Sequence, residues 1–227
     1  MDNDRSAQDT AQKGTFRRLL ALAELLLMTA AVVFDLLIPS LLIVLFGVAF
    51  VLIRKEKMPV ASPPKSLGAA RFVLLMLGWA VLWTVVQYCL ILPVQNHLFK
   101  GARDVDSFAS VQGNLPNLLT FLLASWTLGA LGEELAFRGF FQNRIISLFH
   151  NHAFGTAAAV AFTAVLFGAI HTEQGIVGMI VTAADGVFFS LIRYRYKSVW
   201  ASVLVHGFLN TIGLIAFYFA GPLYGLW

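Results

Sequence analysis

Cysteine and charge are both scarce in this 227-residue chain. Because Cys89 is the only cysteine, no disulfide can form within one chain and no cysteine cluster can hold a metal ion. Charged residues make up 12% of the sequence, whereas soluble domains contain roughly a quarter. The first 16 residues lack the apolar core and small-residue cleavage site of a secretory signal peptide. Neither a soluble domain nor a disulfide-rich secreted domain is expected.

Apolar residues dominate the rest of the sequence. They supply 59% of the chain and give it a mean hydropathy of +0.78. A membrane-spanning helix needs about 20 mostly apolar residues, and seven segments approach that length. The pattern predicts an all-α fold, a polytopic integral membrane helical bundle with about seven transmembrane helices in a lipid bilayer. The segments lie at 17–34, 37–53, 71–93, 116–137, 155–171, 175–192 and 199–220.

The basic residues indicate how these helices cross the membrane. Cytoplasmic loops retain lysine and arginine, and with the N-terminus inside only Lys100 and Arg103 fall on the outer side. We therefore expect a cytosolic N-terminus, an odd number of crossings and an outer C-terminus. Because the net charge of +4 is divided among loops, it does not indicate a nucleic-acid surface. The inner basic residues include Arg17, Arg18, Arg54, Lys55, Lys57, Lys65, Arg71, Arg138, Arg144, Arg193, Arg195 and Lys197.

Composition divides the chain into four segments. Residues 1–16 are polar and are predicted to be a disordered cytosolic tail, and residues 17–54 are predicted to be a transmembrane hairpin. Residues 55–70 are predicted to be a proline-containing cytosolic linker. Residues 71–227 form a transmembrane core, with the polar motifs described next within 132–210.

The first motif places Glu133, Glu134 and Arg138 inside an apolar segment, where ionisable residues are functional candidates. Adjacent residues of a helix point about 100° apart, so the two acids cannot face the same partner. Glu134 and Arg138 are four residues apart, which suits an ion pair on one helix face. This pairing leaves Glu133 without a local partner. The alternative is that both acids are ordinary charges at the headgroup level.

The second motif runs from Phe167 to His171 at the end of an apolar segment. If the helix that carries Glu133 continues through Phe149 and the chain reverses near His152, Glu133 and His171 lie at equal depth in an antiparallel hairpin. Without that continuation, the two residues fall near opposite membrane surfaces. A common site for Glu133 and His171 therefore depends on a long fourth helix.

The third motif contains His206 and Asn210, which are four residues apart and share one face of the last apolar segment. An imidazole and an amide can stabilise a developing oxyanion, or bind and orient a metal ion. The alternative is a polar contact between helices that serves packing alone. Asp185, near Thr182, has no motif around it, and satisfaction by a neighbouring helix is its simpler interpretation.

The ordered set Glu-Glu-x-x-x-Arg, Phe-x-x-x-His and His-x-x-x-Asn resembles the three motifs of the CAAX protease and bacteriocin-processing family, also called the Abi family. The resemblance covers roughly residues 115–215. It implies proteolysis within the membrane, since the best-characterised members remove the last three residues of prenylated CAAX proteins. Other members are associated with peptide maturation and bacteriocin immunity. Residues 71–227 are thus expected to be a protease core.

The resemblance also implies a role for each motif residue. Glu133 would activate a water, His171 would share or orient it, and His206 with Asn210 would form the oxyanion site. Glu134 and Arg138 would be supporting residues. Members of the family have been described both as metalloproteases and as metal-independent glutamate proteases. The cofactor therefore stays open: Glu133, His171 and His206 are one candidate set of ligands for Zn²⁺, but no His-Glu-x-x-His stretch is present.

Two functions remain at this point. The first is an intramembrane endopeptidase of a bacterial plasma membrane, which cleaves a membrane-associated or lipidated protein or peptide with a water activated by glutamate and histidine. The second is a non-enzymatic transporter or scaffold subunit with an ion or proton path of Glu and His residues. A path predicts ionisable residues across several helices, but the first three apolar segments offer only Glu24, Asp35 and Gln87.

Overall fold

The computed structural model describes residues 2–34, 36, 39–54, 68–149 and 152–222, and it describes side chains from residue 14 onward. Helices account for nearly all of these residues, and no strand occurs among them. Two short 3₁₀ turns, Asp106–Val111 and Thr172–Gln174, lie in loops. The α-helices are α1 (Asp2–Val33), α2 (Pro39–Ile53), α3 (Ala69–Val86), α4 (Leu92–Phe99), α5 (Leu115–Ala124), α6 (Gln142–Leu148), α7 (His152–Ala169), α8 (Gly175–Tyr196) and α9 (Val199–Ala220).

Five helical stretches of the described residues are long and apolar enough to cross a membrane. Their outer faces carry large apolar side chains that are exposed, such as Leu74, Leu123 and Phe219, as expected where lipid covers the surface. The all-α polytopic membrane fold is therefore confirmed. The five stretches are Ala69–Phe99, Leu115–Leu148, His152–Ala169, Thr172–Tyr196 and Val199–Ala220.

The two remaining predicted crossings correspond to α1 and α2. The apolar part of α2, Leu41–Ile53, is shorter than a typical span. Helix α1 carries Arg17 and Arg18 directly before its apolar part and Glu24 within it. A total of about seven crossings stays a prediction for this pair.

The N-terminal boundaries differ from those expected from composition. Helix α1 begins at Asp2, so residues 2–16 are helical and not the disordered tail that was predicted. Many of these residues are alanine, glutamine, lysine or arginine, which have good helix propensity, and an apolar helix continues beyond them. In the linker, residues 55–67 lie outside the described residues, and α3 starts at Ala69 after Gly68, whose φ is 67°.

The helix that carries the first motif is unbroken from Leu115 to Leu148, and we call it the motif helix. It consists of α5, two π-helical segments at Ser125–Glu133 and Leu135–Phe141, and α6. Its first turn is capped by Asn114, whose side chain accepts a hydrogen bond from the Asn117 backbone at 3.1 Å. Helix α7 then begins at His152. The long fourth helix required by the hairpin argument is therefore confirmed.

Close contact between α7 and α8 holds the centre of the bundle together. A Cβ atom at Gly168 would lie 2.4 Å from the backbone oxygen of Met179, so only glycine permits this approach. At a second point of this contact, a Cβ at Gly186 of α8 would lie 3.0 Å from the Cα of Ala164 in α7. The absence of a side chain at these two glycines allows α7 and α8 to pack closely against each other.

A buried ion-pair cluster fixes the α1–α2 pair to the motif helix. Glu24 of α1 is 4% exposed, and it accepts hydrogen bonds from Arg54 at 3.0 Å and from Arg144 at 2.7 Å. The guanidinium of Arg144 also lies over the ring of Phe140, 4.4 Å from its centroid. Arg54 directly follows α2, and Arg144 lies near the end of the motif helix, which places this cluster at the end of the bundle predicted to face the cytosol.

Candidate active site

One cavity of about 290 Å³ lies among α3, the motif helix, α7, α8 and α9. Its wall contains a residue from each of the three motifs, because the motif helix and α7 form an antiparallel hairpin and α9 packs beside them. The four candidate catalytic residues Glu133, His171, His206 and Asn210 all line it. Apolar side chains supply much of the remaining wall, among them Phe108, Phe121, Phe167, Phe189, Leu209 and Phe217.

Glu134 and Arg138 form the ion pair expected from their spacing. The Nη1 atom of Arg138 donates to Oε1 of Glu134 at 2.8 Å, and both side chains are fully buried. Arg138 also donates from Nη2 to the backbone oxygen of Gly186 at 2.9 Å, and its guanidinium lies 4.6 Å from the ring centroid of Phe167. The pair therefore joins the motif helix to α7 and α8 and does not lie at a headgroup surface.

Glu133 points to a different environment from its neighbour. Its side chain is 8% exposed and lines the cavity. Within the described part of the chain its carboxylate forms no hydrogen bond or salt bridge, whereas the Glu134 carboxylate is paired. A carboxylate held in a poorly hydrated cavity without a protein partner is available to a water or a substrate.

His171 follows α7, just beyond the last residue of that span. Its Nδ1 atom lies 2.7 Å from the backbone oxygen of Phe167, and because a carbonyl oxygen only accepts, Nδ1 carries the proton. Burial lowers the pKa of His171 below its ordinary value near 6.5, and the nearby Arg103 also lowers it, against the opposing effects of the Phe167 carbonyl and Glu173. His171 is therefore neutral at neutral pH, with Nε2 as an acceptor.

His206 is held by the acid next to Glu133. Its Nδ1 atom lies 3.1 Å from Oε1 of Glu134, the same oxygen that accepts from Arg138. The imidazole stacks on Phe189, with 4.6 Å between ring centroids and 18° between planes. Since the carboxylate accepts, Nδ1 of His206 carries a proton and Nε2 is the nitrogen left for a ligand. This arrangement of carboxylate and histidine fixes the orientation of the ring.

Asn210 is half-buried and lines the cavity. Its Nδ2 atom lies close to the motif helix, since a Cβ at Gly129 would be 3.7 Å from it. Within the described residues the amide of Asn210 makes no hydrogen bond. His206 forms the polar contact between helices that a packing role predicts, because it bonds to Glu134 of the motif helix. The amide of Asn210 forms no such contact among the described residues.

Asp185 also lines the cavity, but a neighbouring helix occupies one of its oxygens. Oδ1 of Asp185 accepts from Nε1 of Trp83 at 2.6 Å and from Nε2 of Gln87. These bonds agree with the simpler of the two interpretations of Asp185.

Sequence reasoning missed several polar residues of the cavity wall, among them Arg103 and Gln174. Arg103 was used only as a topology marker. The sequence feature that could have drawn attention to Arg103 is its position, because it is one of two basic residues outside the predicted cytosolic loops.

The candidate zinc ligands do not form a ligand set. No group of three or more His, Cys, Asp or Glu side chains in the described residues is close enough to hold a metal ion. Glu133, His171 and His206 line one cavity, and Nε2 of each histidine is the nitrogen left for a ligand, but the three side chains are not grouped closely enough to hold one metal ion. We therefore derive no step of the chemistry through a metal.

Residues 115–212 match the family model described as type II CAAX prenyl endopeptidase Rce1-like. No curated protein and no solved structure matches the chain. The matched segment runs from the start of the motif helix to α9 and includes all three motifs. The resemblance seen in these motifs is confirmed, and over this segment the chain is similar to the Rce1-like family of CAAX peptidases.

Proposed function

We propose that this protein is an intramembrane endopeptidase that hydrolyses a peptide bond with a water activated by Glu133. The observation that supports the proposal is the shared cavity, which is lined by a carboxylate and an amide without hydrogen-bond partners among the described residues and by two imidazoles, all from three separate helical regions. Peptide hydrolysis requires a general base beside a water and hydrogen-bond donors at the developing oxyanion.

Glu133 is the general base in this proposal. Its carboxylate takes a proton from a water as the water oxygen attacks the carbonyl carbon of the substrate. Nε2 of His171, which is an acceptor, holds the second hydrogen of that water and so orients it. When the C–N bond breaks, the proton on Glu133 passes to the departing amine. The products are a carboxylate and an amine.

His206 and Asn210 stabilise the oxygen that becomes negative. Asn210 donates from Nδ2. His206 donates from Nε2 when both ring nitrogens carry a proton, and the Glu134 carboxylate accepts from Nδ1 and so orients the ring. Glu134 therefore has a role in the chemistry as well as in the ion pair with Arg138.

The substrate we propose is a lipidated or membrane-associated peptide or protein. The family description names prenyl endopeptidases, and the cavity has the mixed wall that such a substrate needs: aromatic and aliphatic side chains beside a small number of polar groups. For a chain of this size we propose the bacterial plasma membrane, with the N-terminus in the cytosol.

The distribution of buried charge favours hydrolysis over an ion path. Glu24, the ionisable residue within the apolar part of α1, does not line the cavity and is paired with Arg54 and Arg144. The cavity groups are gathered around one space and form no ladder across the described helices. A transport path would require such a ladder.

The test is Glu133→Gln in purified full-length protein reconstituted in lipid vesicles, assayed on an S-farnesyl peptide with a fluorophore and a quencher on either side of the expected cleavage. We expect turnover to fall by at least roughly 10²-fold, because general-base catalysis contributes on that order, while the thermal midpoint changes little. Asp185→Asn is the matched control, since it also neutralises a cavity carboxylate. It should keep turnover per folded molecule, and equal turnover of wild type and Glu133→Gln would end the glutamate-base proposal.

A further inference from the structure

Arg103 lies in the loop between α4 and the motif helix, outside the spans, and is fixed against α8. The backbone nitrogen of the next residue, Asp104, donates to the backbone oxygen of Gln174 at 3.0 Å. The aliphatic part of Arg103 packs on Gly178, where a Cβ would lie 3.3 Å from Cγ of Arg103. The loop thus holds the guanidinium at the cavity wall in a defined position.

The partners of this guanidinium are neutral. Nε and Nη2 of Arg103 both donate to Oε1 of Gln174, the former at 2.8 Å. In the described part of the chain no carboxylate forms a salt bridge with Arg103, and Nη1 has no hydrogen-bond partner. Asp185, one of the acids of the cavity wall, already accepts from Trp83 and Gln87.

Arg103 is half-buried, and a cation withdrawn from water without an anionic partner is costly unless a ligand supplies the anion. Burial lowers the pKa of Arg103, and the attraction of Asp185, Tyr88 and Glu173 offsets this only in part. Gln174 orients the fork of the guanidinium but does not neutralise it. The wall therefore offers a fixed positive charge and a free N–H pair to whatever enters the cavity.

We propose that Arg103 binds a carboxylate of the peptide substrate, an assignment that rests on the proposed peptidase function and extends it to substrate recognition. A guanidinium and a carboxylate have matched geometry, and their hydrogen bonds are charge-assisted. The carboxylate can belong to the C-terminus of the peptide or to an acidic side chain. In either case a carboxylate held at Arg103 fixes the register of the peptide relative to Glu133 in the same cavity, which makes Arg103 a specificity-determining residue.

The experiment measures binding, with no need for turnover, in reconstituted full-length protein carrying Glu133→Gln. The probes are three fluorescent S-farnesyl peptides of otherwise uncharged sequence: one with a C-terminal carboxylate, one with a C-terminal amide, and one amide with a single glutamate near its C-terminus. We expect at least one carboxylate peptide to bind roughly tenfold to hundredfold more tightly than the plain amide, the range for a hydrogen bond to a charged group. Which peptide gains affinity identifies the source of the carboxylate.

Arg103→Gln tests whether Arg103 causes the preference. This variant should abolish the difference between the peptides and leave binding of the plain amide unchanged. Lys100→Gln, which removes an exposed charge from the same loop, should preserve the difference. Equal binding of all three peptides by the protein with Arg103 intact would overturn the proposal, as would equal weakening of all three by Arg103→Gln.

The comparison between the carboxylate peptides and the plain amide tests the proposal even if Arg103→Gln fails to fold, since it is made on protein that retains Arg103. Failure of the peptidase proposal is a separate result, because it appears as an absence of turnover in the wild-type protein. A carboxylate preference that depends on Arg103 would still show that Arg103 binds the carboxylate, whether or not the protein cleaves the peptide.

Discussion

At the residue scale, two adjacent acids have different environments because of helix geometry. Glu133 and Glu134 differ by about a quarter turn, so one faces the cavity and the other faces the interior between α7, α8 and α9. Glu134 is shared by Arg138 and His206, whereas Glu133 has no such partners among the described residues. Sequence reasoning identified the division between a free and a paired acid. It could not identify His206 as a second partner of Glu134, because that contact joins residues 72 positions apart.

Glu134→Gln is expected to lower both stability and turnover. Loss of one charge leaves Arg138 buried without its anion, which costs about 3–5 kcal/mol when a buried pair is broken. Turnover per folded molecule should also fall roughly 10–100-fold, the usual effect of removing a group that orients a functional histidine. The measurements are thermal unfolding of the reconstituted protein and turnover normalised to the folded fraction.

Glu24→Gln is the control for Glu134→Gln, because Glu24 is also a buried acid paired with arginine but lies outside the cavity. It should lower stability and leave normalised turnover near that of wild type. If Glu134→Gln behaves in the same way, Glu134 has no part in orienting His206 for the reaction.

His206 and Asn210 are expected to act as one unit on the oxyanion. Removal of either group should cost on the order of 10²-fold in kcat with little change in KM. Groups that act together are strongly non-additive, so the double variant His206→Ala with Asn210→Ala should be scarcely worse than the more damaging single variant. Turnover per folded molecule is measured for all three, and values near wild type would assign both residues to packing.

At the element scale, apolar length and motif spacing predicted much of the architecture. The long fourth helix, its reversal before His152 and the convergence of Glu133 with His171 on one site all follow from counting residues along an antiparallel hairpin. The π-helical segments of the motif helix were not predicted, because a π-helix has the same apolar composition as an α-helix. The helical state of residues 2–16 was missed because polar composition alone does not exclude a helix that extends from an apolar one.

The α7–α8 contact at Gly168 is expected to tolerate no side chain. In Gly168→Ala the added Cβ would lie 2.4 Å from the backbone oxygen of Met179, so α7 and α8 must separate, which costs about 1–3 kcal/mol as overpacking does. Gly78→Ala in α3 is the matched control, since a Cβ there meets no atom within 4 Å and alanine is the better helix former. Thermal unfolding of the two variants should show a loss for Gly168→Ala and no loss for Gly78→Ala. A stable Gly168→Ala protein would contradict the close packing.

At the scale of the whole molecule, the cavity is nearer to one end of the bundle. That end contains the loop of residues 100–114, the turn at His171, and the C-terminal end of α9, where the Gly113 backbone donates to the Tyr218 oxygen at 3.1 Å. The opposite end contains most of the loop arginines, including Arg54, Arg144, Arg193 and Arg195. The two ends of the bundle therefore differ in charge, and the cavity lies nearer to the end with fewer basic residues.

The orientation of these ends in the membrane is the last prediction. Because the arginine-rich end should face the cytosol, the loop of residues 100–114 and the C-terminus should face outward, and the cavity should be reached from that side. In a Cys89→Ala background, a membrane-impermeant maleimide added to intact cells should label Ser107→Cys, which is exposed in that loop, but not Arg195→Cys, which is exposed at the opposite end. Both cysteines should be labelled after the membrane is permeabilised, which controls for their accessibility. The reverse pattern in intact cells would place the N-terminus outside and turn the cavity toward the cytosol, where its substrates would then have to be sought.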